Sequence, residues 1–193
     1  MATRIHPTAV VDPTAELAEG VTVGPCAYIG PRVRLGAGCE IHNHATVTGG
    51  AALAGGCQVF PGAIVGCIPQ DPKYKGEPTV LELGEGTIVR ECATIHPGTA
   101  LGGGRTSIGS HCMIMAYAHI AHDCRLGDHI IVANASQLAG HVHVEDGARI
   151  SGLCAIHHFV TIGRCSFVAG SARLSVDVPP TRSPKATPRA SAA

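Results

Sequence analysis

His119-Ile120-Ala121-His122-Asp123-Cys124 sets two imidazoles three positions apart, with a carboxylate following the second. Residues of these types at this spacing can do one of three things. Two histidines and an acid can hold a metal ion. An imidazole beside a carboxylate can act as a general base whose tautomer the acid fixes. The same residues can also be plain polar surface. The elements that carry them decide which.

The composition constrains those elements. Among 193 residues there are three Phe, three Tyr and no Trp, so the core must be built from aliphatic side chains, Ala and Cys. Twenty-five glycines and 13 prolines stand beside 45% hydrophobic residues, a mixture of many short strands and frequent turns. That hydrophobic content argues against a disordered chain. Lys plus Arg equals Asp plus Glu, at 14 each, so no basic excess points to nucleic acid or to an anionic membrane surface. No apolar run reaches the length of a membrane span, and the first residues lack a signal-peptide core; a cytoplasmic protein is expected. The nine cysteines form no CxxC pair, which disfavours both a disulfide framework and a zinc ribbon.

An aliphatic residue recurs every six positions from Ile5 to Val65. The same phase resumes at Leu83, Val89 and Ile95, shifts by one, and runs on from Ile108 to Leu174. Such a hexad fits one short strand and one turn of a parallel β-helix, with the aliphatic residue pointing inward. The residue two before it must also point inward, so it is expected to be small. Ala9, Ala27, Ala45, Ala63 and Ala118 stand there, and so do Cys39, Cys57, Cys112, Cys124 and Cys154, which makes these cysteines small core residues. Residues 67–82 and 101–107 break the pattern and read as loops. The helix is expected over residues 1–178, with 179–193 as an irregular, disordered tail.

These hexads resemble those of the hexapeptide-repeat acyltransferases. Within that class, six motifs resemble the UDP-N-acetylglucosamine O-acyltransferases, in order: PQDPKYKGEPT at 69–79, TIHPGT at 94–99, AHIAHDC at 118–124, LAGHV at 138–142, AIHHF at 155–159 and DVPP at 177–180. The resemblance implies an all-β, left-handed parallel β-helix of three hexads per coil. It implies transfer of a 3-hydroxyacyl group from acyl carrier protein to the 3-position of UDP-N-acetylglucosamine, the first step of lipid A biosynthesis. It further implies a homotrimer with active sites between adjacent helices, and no metal or organic cofactor.

Residue by residue, the resemblance makes His122 the general base and Asp123 its neighbouring acid. Three hexads separate His122 from Gly140, so Gly140 should lie one coil above the base, where a backbone N–H could serve a developing oxyanion; the family's use of this glycine agrees. By the same count His141 stacks over Asp123. The resemblance gives substrate contacts to Asp71, Lys73, His96, His119, His141 and His157, and the acyl-chain ruler to Gly170, with chain length left open.

The chain departs from the family in two places. His158 stands where the family has glutamine, and the family's C-terminal helical segment has no counterpart after Pro180. A non-catalytic β-helix scaffold is therefore one alternative. A zinc enzyme of the γ-class carbonic anhydrase kind is another, although its ligand pair is five residues apart and His119 and His122 are three apart. An N-acyltransferase of the same pathway is the near neighbour, and the sequence does not choose between a 3-hydroxyl and a 3-amino acceptor.

Overall fold

The computed structural model describes residues 2–181 and 189–190. Strands of two residues alternate with turns from Arg4–Ile5 to Arg173–Leu174 and form three parallel sheets, one on each face of a prism. The first face begins with Arg4–Ile5, the second with Val10–Val11 and the third with Glu16–Leu17. Away from the insertions, each strand pairs with the strand one coil away, eighteen residues on: Arg4 with Thr22, Val10 with Tyr28, Glu16 with Arg34. The all-β helical solenoid expected from the hexads is the fold.

The second residue of each strand points into the prism, and Ile29, Val47, Ile95, Ile120 and Leu138 are fully buried there. Replacing one of these with Ala would cost about 2–5 kcal/mol, because the stacked neighbours cannot close the gap. Ile5, also expected inward, is 48% exposed, since the coil it belongs to is the end of the stack.

The expectation of a small residue two positions earlier needs correction. On the second face it holds throughout, with Ala, Ser or Cys in every coil from Ala9 to Ala172. The first and third faces also take Val21, Val33, Leu81, Ile130, Val142 and Val160, all buried. Each coil needs a filled triangle, and small residues on one face leave room for larger ones on the other two.

The two loops are shorter than expected. Val80–Leu83 and Arg105–Ile108 are four-residue strands paired along their whole length on the third face, and Ala100–Gly102 is a 3-10 turn. The insertions show in the register: Ile64 pairs with Thr94, thirty positions on, and Thr94 with His119, twenty-five on. Both insertions leave the stack between the second and third faces, on consecutive coils. Of the expected tail, Thr181 donates from N to Arg164 O at 2.9 Å, and Arg189–Ala190 pairs with Phe167–Val168. The rest lies outside the described residues. No helix among the described residues is long and apolar enough to cross a membrane.

Candidate active site at one corner of the helix

His119–Ile120 is a strand of the second face, and His122 and Asp123 form the turn that follows. The same corner carries, one coil above, Gly140 and His141, and one coil above that, His158 and Phe159. The two insertions leave from the two coils directly below. Everything that interrupts or decorates the regular solenoid here is thus stacked on one edge.

Adjacent residues of a straight strand face opposite ways. Here Asp123 has φ +61°, in the left-handed region that Asp tolerates better than most residues. That turn brings Asp123 Oδ2 within 2.8 Å of His122 Nδ1. A carboxylate only accepts, so Nδ1 carries the proton and Nε2 keeps its lone pair. The carboxylate is buried and has two further donors: Thr99 N gives to Oδ1 at 2.9 Å, and Thr99 Oγ1 gives to Oδ2 at 2.7 Å. The Asp123 N–H in turn donates to Thr106 Oγ1 at 2.7 Å. A buried charge with three donors is held in one orientation.

Gly140 sits over the imidazole. A Cβ placed there would lie 2.6 Å from His122 Cε1 and 2.8 Å from Nε2, so only glycine leaves the ring room. Among the described residues, no backbone carbonyl accepts from the Gly140 N–H. The repeat explains why: Pro7, Pro13, Pro25, Pro31, Pro61 and Pro97 hold the equivalent position in other coils, so the fold does not need an N–H there. His141 donates its own N–H to His122 O at 3.0 Å, and its ring meets that of His122 edge to face at 5.2 Å. His122 and Gly140 border an open cleft of about 750 Å³, which runs up the second face from His96 and His119 to Arg173 and Ser175.

A family model described as bacterial transferase hexapeptide (six repeats) matches residues 14–49 and 105–140. A protein from Alkalilimnicola ehrlichii, named acyl-(acyl-carrier-protein)–UDP-N-acetylglucosamine O-acyltransferase, is 58% identical over 92% of this chain and 69% of its own. One of the same name from Janthinobacterium is 53% identical over 91% of this chain and 67% of its own. The chain belongs to the UDP-N-acetylglucosamine O-acyltransferase family. Solved members superpose closely: the acyltransferase from Francisella novicida gives a TM-score of 0.90 at 40% identity, over 91% of this chain and 64% of that one. The enzyme from Campylobacter jejuni gives 0.89 at 41%, over 92% and 69%. This chain thus spans about two thirds of the length of its relatives.

The other residues expected from sequence take different places in this family member. His96 is buried and faces the cleft; its Nδ1 donates to the carbonyls of Cys67 and Ile68, each at 2.9 Å, tying the first insertion to the sheet. Its Nε2 has no partner among the described residues. His119 lines the cleft with Nδ1 2.8 Å from Thr94 Oγ1, and burial, followed by the nearby His96 and His122, pushes its pKa down to about 4. His141 is lowered too, mainly by burial, against the raising effect of the Asp123 carboxylate. His157 is exposed on the cleft wall.

Asp71 and Lys73 do not line the cleft. Asp71 caps its own loop, accepting from Lys73 N at 2.9 Å, and Lys73 is exposed. Gln70, beside them, does line it. Gly170 is exposed at the other edge of the second face, three coils above His122 and outside the cleft lining.

A ring nitrogen of His122, a carboxylate oxygen of Asp123 and a ring nitrogen of His141 lie within 4.8 Å of one another, the kind of donor set a metal takes. This set differs from the His119–His122 pair that the zinc reading starts from. Sequence reasoning missed Thr99, Thr106 and Gln70, and also Gln137 and Arg173 higher on the wall.

Proposed function

We propose that the protein transfers a 3-hydroxyacyl group from acyl carrier protein to the 3-position of UDP-N-acetylglucosamine, the opening step of lipid A synthesis. The observation that carries this reading is His122. Its Nδ1–H is held by a buried carboxylate, and its Nε2 looks past a glycine into an open cleft.

In this reading Nε2 takes the proton of the sugar 3-hydroxyl as that oxygen attacks the thioester carbon. The C–O bond forms and the carbonyl oxygen gains charge beside the Gly140 N–H. The C–S bond then breaks, and the imidazolium returns its proton to the leaving thiolate. Asp123 stabilises the imidazolium without taking a proton itself. The acyl chain lies along the second face above His122, where Ala139 and Ala155 leave the wall low. His96 and His119 meet the sugar, and Asp71 and Lys73 reach it when the first insertion folds over. Gly170 limits the chain length from the neighbouring face, in a cytoplasmic trimer whose next copy closes the open side of each cleft.

The names of the Janthinobacterium and Alkalilimnicola relatives support the substrate pair, and those relatives align with 91% and 92% of this chain. Mass spectrometry of the product, after incubation with UDP-N-acetylglucosamine and a set of 3-hydroxyacyl carrier proteins, tests it. Wild-type protein should give the 3-O-acyl sugar nucleotide and His122→Ala should not. No acylated product from any donor, or product from the Ala variant at the wild-type rate, rejects the reading.

A further inference from the structure

The solenoid strand Arg105–Ile108 holds the Asp123 backbone through Thr106, and the second insertion holds its carboxylate. Thr99 begins that insertion, is 3% exposed, and spends both of its donors on one carboxylate, N on Oδ1 and Oγ1 on Oδ2. Thr99 is fixed in turn. Its carbonyl accepts from Gly102 N at 3.0 Å and from Gly104 N at 2.7 Å, and its hydroxyl accepts from Gly102 N at 3.2 Å. Glu77 of the first insertion accepts from Ala100 N at 3.4 Å and braces the same turn from outside. Gly102 packs against the carboxylate so closely that a Cβ there would lie 2.1 Å from Asp123 Cγ.

We propose that Thr99 and Gly102 are positioning residues: together they clamp the Asp123 carboxylate so that it faces His122 Nδ1 and enforces the Nε2-base tautomer. The inference rests on the acyltransferase reading for its kinetic consequence but not for its geometry. Asp123 lies in a strained backbone conformation at a corner, and its χ angles would otherwise be free to turn the carboxylate toward other donors. From the regular coils, Thr106 Oγ1 reaches only the Asp123 N–H, and His141 Nε2 stays 3.9 Å from Oδ2. An insertion that shifts the phase by one residue delivers a threonine backbone N–H and a hydroxyl to the two oxygens, spaced to match them. With those two bonds made, Oδ2 faces the His122 imidazole at 2.8 Å, while His141 Nε2 stands off at 3.9 Å. Thr99 touches neither substrate nor the reacting atoms and acts through Asp123.

The test compares Thr99→Val, which keeps the shape and loses the hydroxyl, with Thr99→Ser, which keeps both donors. For Val, kcat should fall about 10- to 100-fold, the range for losing a hydrogen bond to a charged group, with KM for the sugar nucleotide within about twofold. Ser should recover most of kcat. Side-chain 15N spectra of His122 give a readout that needs no turnover. Wild type should hold a single Nδ1–H tautomer, Val a mixture, and Ser the wild-type pattern. An unchanged tautomer and kcat in Val overturns the clamp, as does Ser falling as far as Val, which would make packing the cause. If the wild type itself transfers no acyl group, the functional reading fails and the spectra still decide the clamp. Circular dichroism separates an unfolded Val variant, in which case Thr99→Ala, which also removes the hydroxyl, replaces it in both readouts with the same outcomes.

Discussion

His122 and Asp123 are neighbours in sequence, yet Nδ1 of one lies 2.8 Å from Oδ2 of the other. A strand would send the two side chains to opposite sides; the corner turns them to the same side because Asp123 takes a positive φ. The carboxylate therefore needs to be acidic and also short enough to fold back.

The first prediction follows from that geometry. Asp123→Asn keeps the size and replaces one oxygen with NH2, which cannot accept from Nδ1–H or from Thr99. The turnover number should drop about 10²- to 10⁴-fold, the range seen when a base loses its orienting acid. His122→Ala should lose at least as much. Initial rates with acyl carrier protein thioester check this, with circular dichroism to show the coils intact. A rate within threefold of wild type for Asp123→Asn would remove the carboxylate from the mechanism.

Gly140 gives a second prediction. The three nearest atoms to a Cβ there all belong to the His122 ring. The helix tolerates other residues at the equivalent position, since six prolines occupy it elsewhere. Gly140→Ala should therefore fold, with a thermal midpoint lowered by only a few degrees, and should lose about tenfold or more in kcat as the ring is pushed aside. Loss of folding in place of loss of rate would mean that the glycine serves the backbone.

How much of this was legible depends on whether a contact respects the eighteen-residue period. Ile29, Val47 and Ile120 repeat one requirement in every coil, so the hexads alone identify them as core. Gly140 over His122 and His141 over Asp123 follow from adding eighteen. Thr99 to Asp123 spans 24 positions across an insertion, and no periodicity leads there. Asp71 shows the converse: its motif was readable, but its carboxylate caps its own loop instead of lining the cleft, because a short-range turn bond is available to it. Leu81 and Ile130 mislead for a third reason. Volume is balanced around a whole coil, so one face can take a large residue where another must not.

A pH dependence follows from His119. Burial holds its folded pKa at about 4, below the ordinary value near 6.5. Between those two values the unfolded chain binds more protons than the folded one. Stability is therefore unaffected above pH 6.5 and falls as the pH drops through that window to 4. His119 is partly exposed, so solvent screening reduces the effect to about 1–2 kcal/mol. Urea unfolding at pH 7 and pH 5 should show a smaller loss for His119→Gln than for wild type. An equal loss in both would assign the acid sensitivity to other groups.

The cysteines divide by where the hexad puts them, and so should their reactivity. Cys124 lies inside the prism directly after Asp123, its Sγ donating to Ala139 O at 3.2 Å, and burial pushes its pKa up to about 12. Cys112 is raised by burial in the same way. Cys39, Cys57 and Cys154 share that inward position, while Cys26 and Cys92 occupy exposed turn positions. A thiol attacks as the thiolate, so burial makes these thiols inaccessible, and at Cys112 and Cys124 it also keeps them in the wrong form. Native protein treated with iodoacetamide at pH 7.5 should be labelled at Cys26 and Cys92. The five inward cysteines should react only in denaturant, which peptide mass spectrometry reads site by site. Labelling of Cys124 in the native protein, at a rate near that of Cys26, would mean that the coil behind His122 opens. The rigid base this mechanism needs would then be lost.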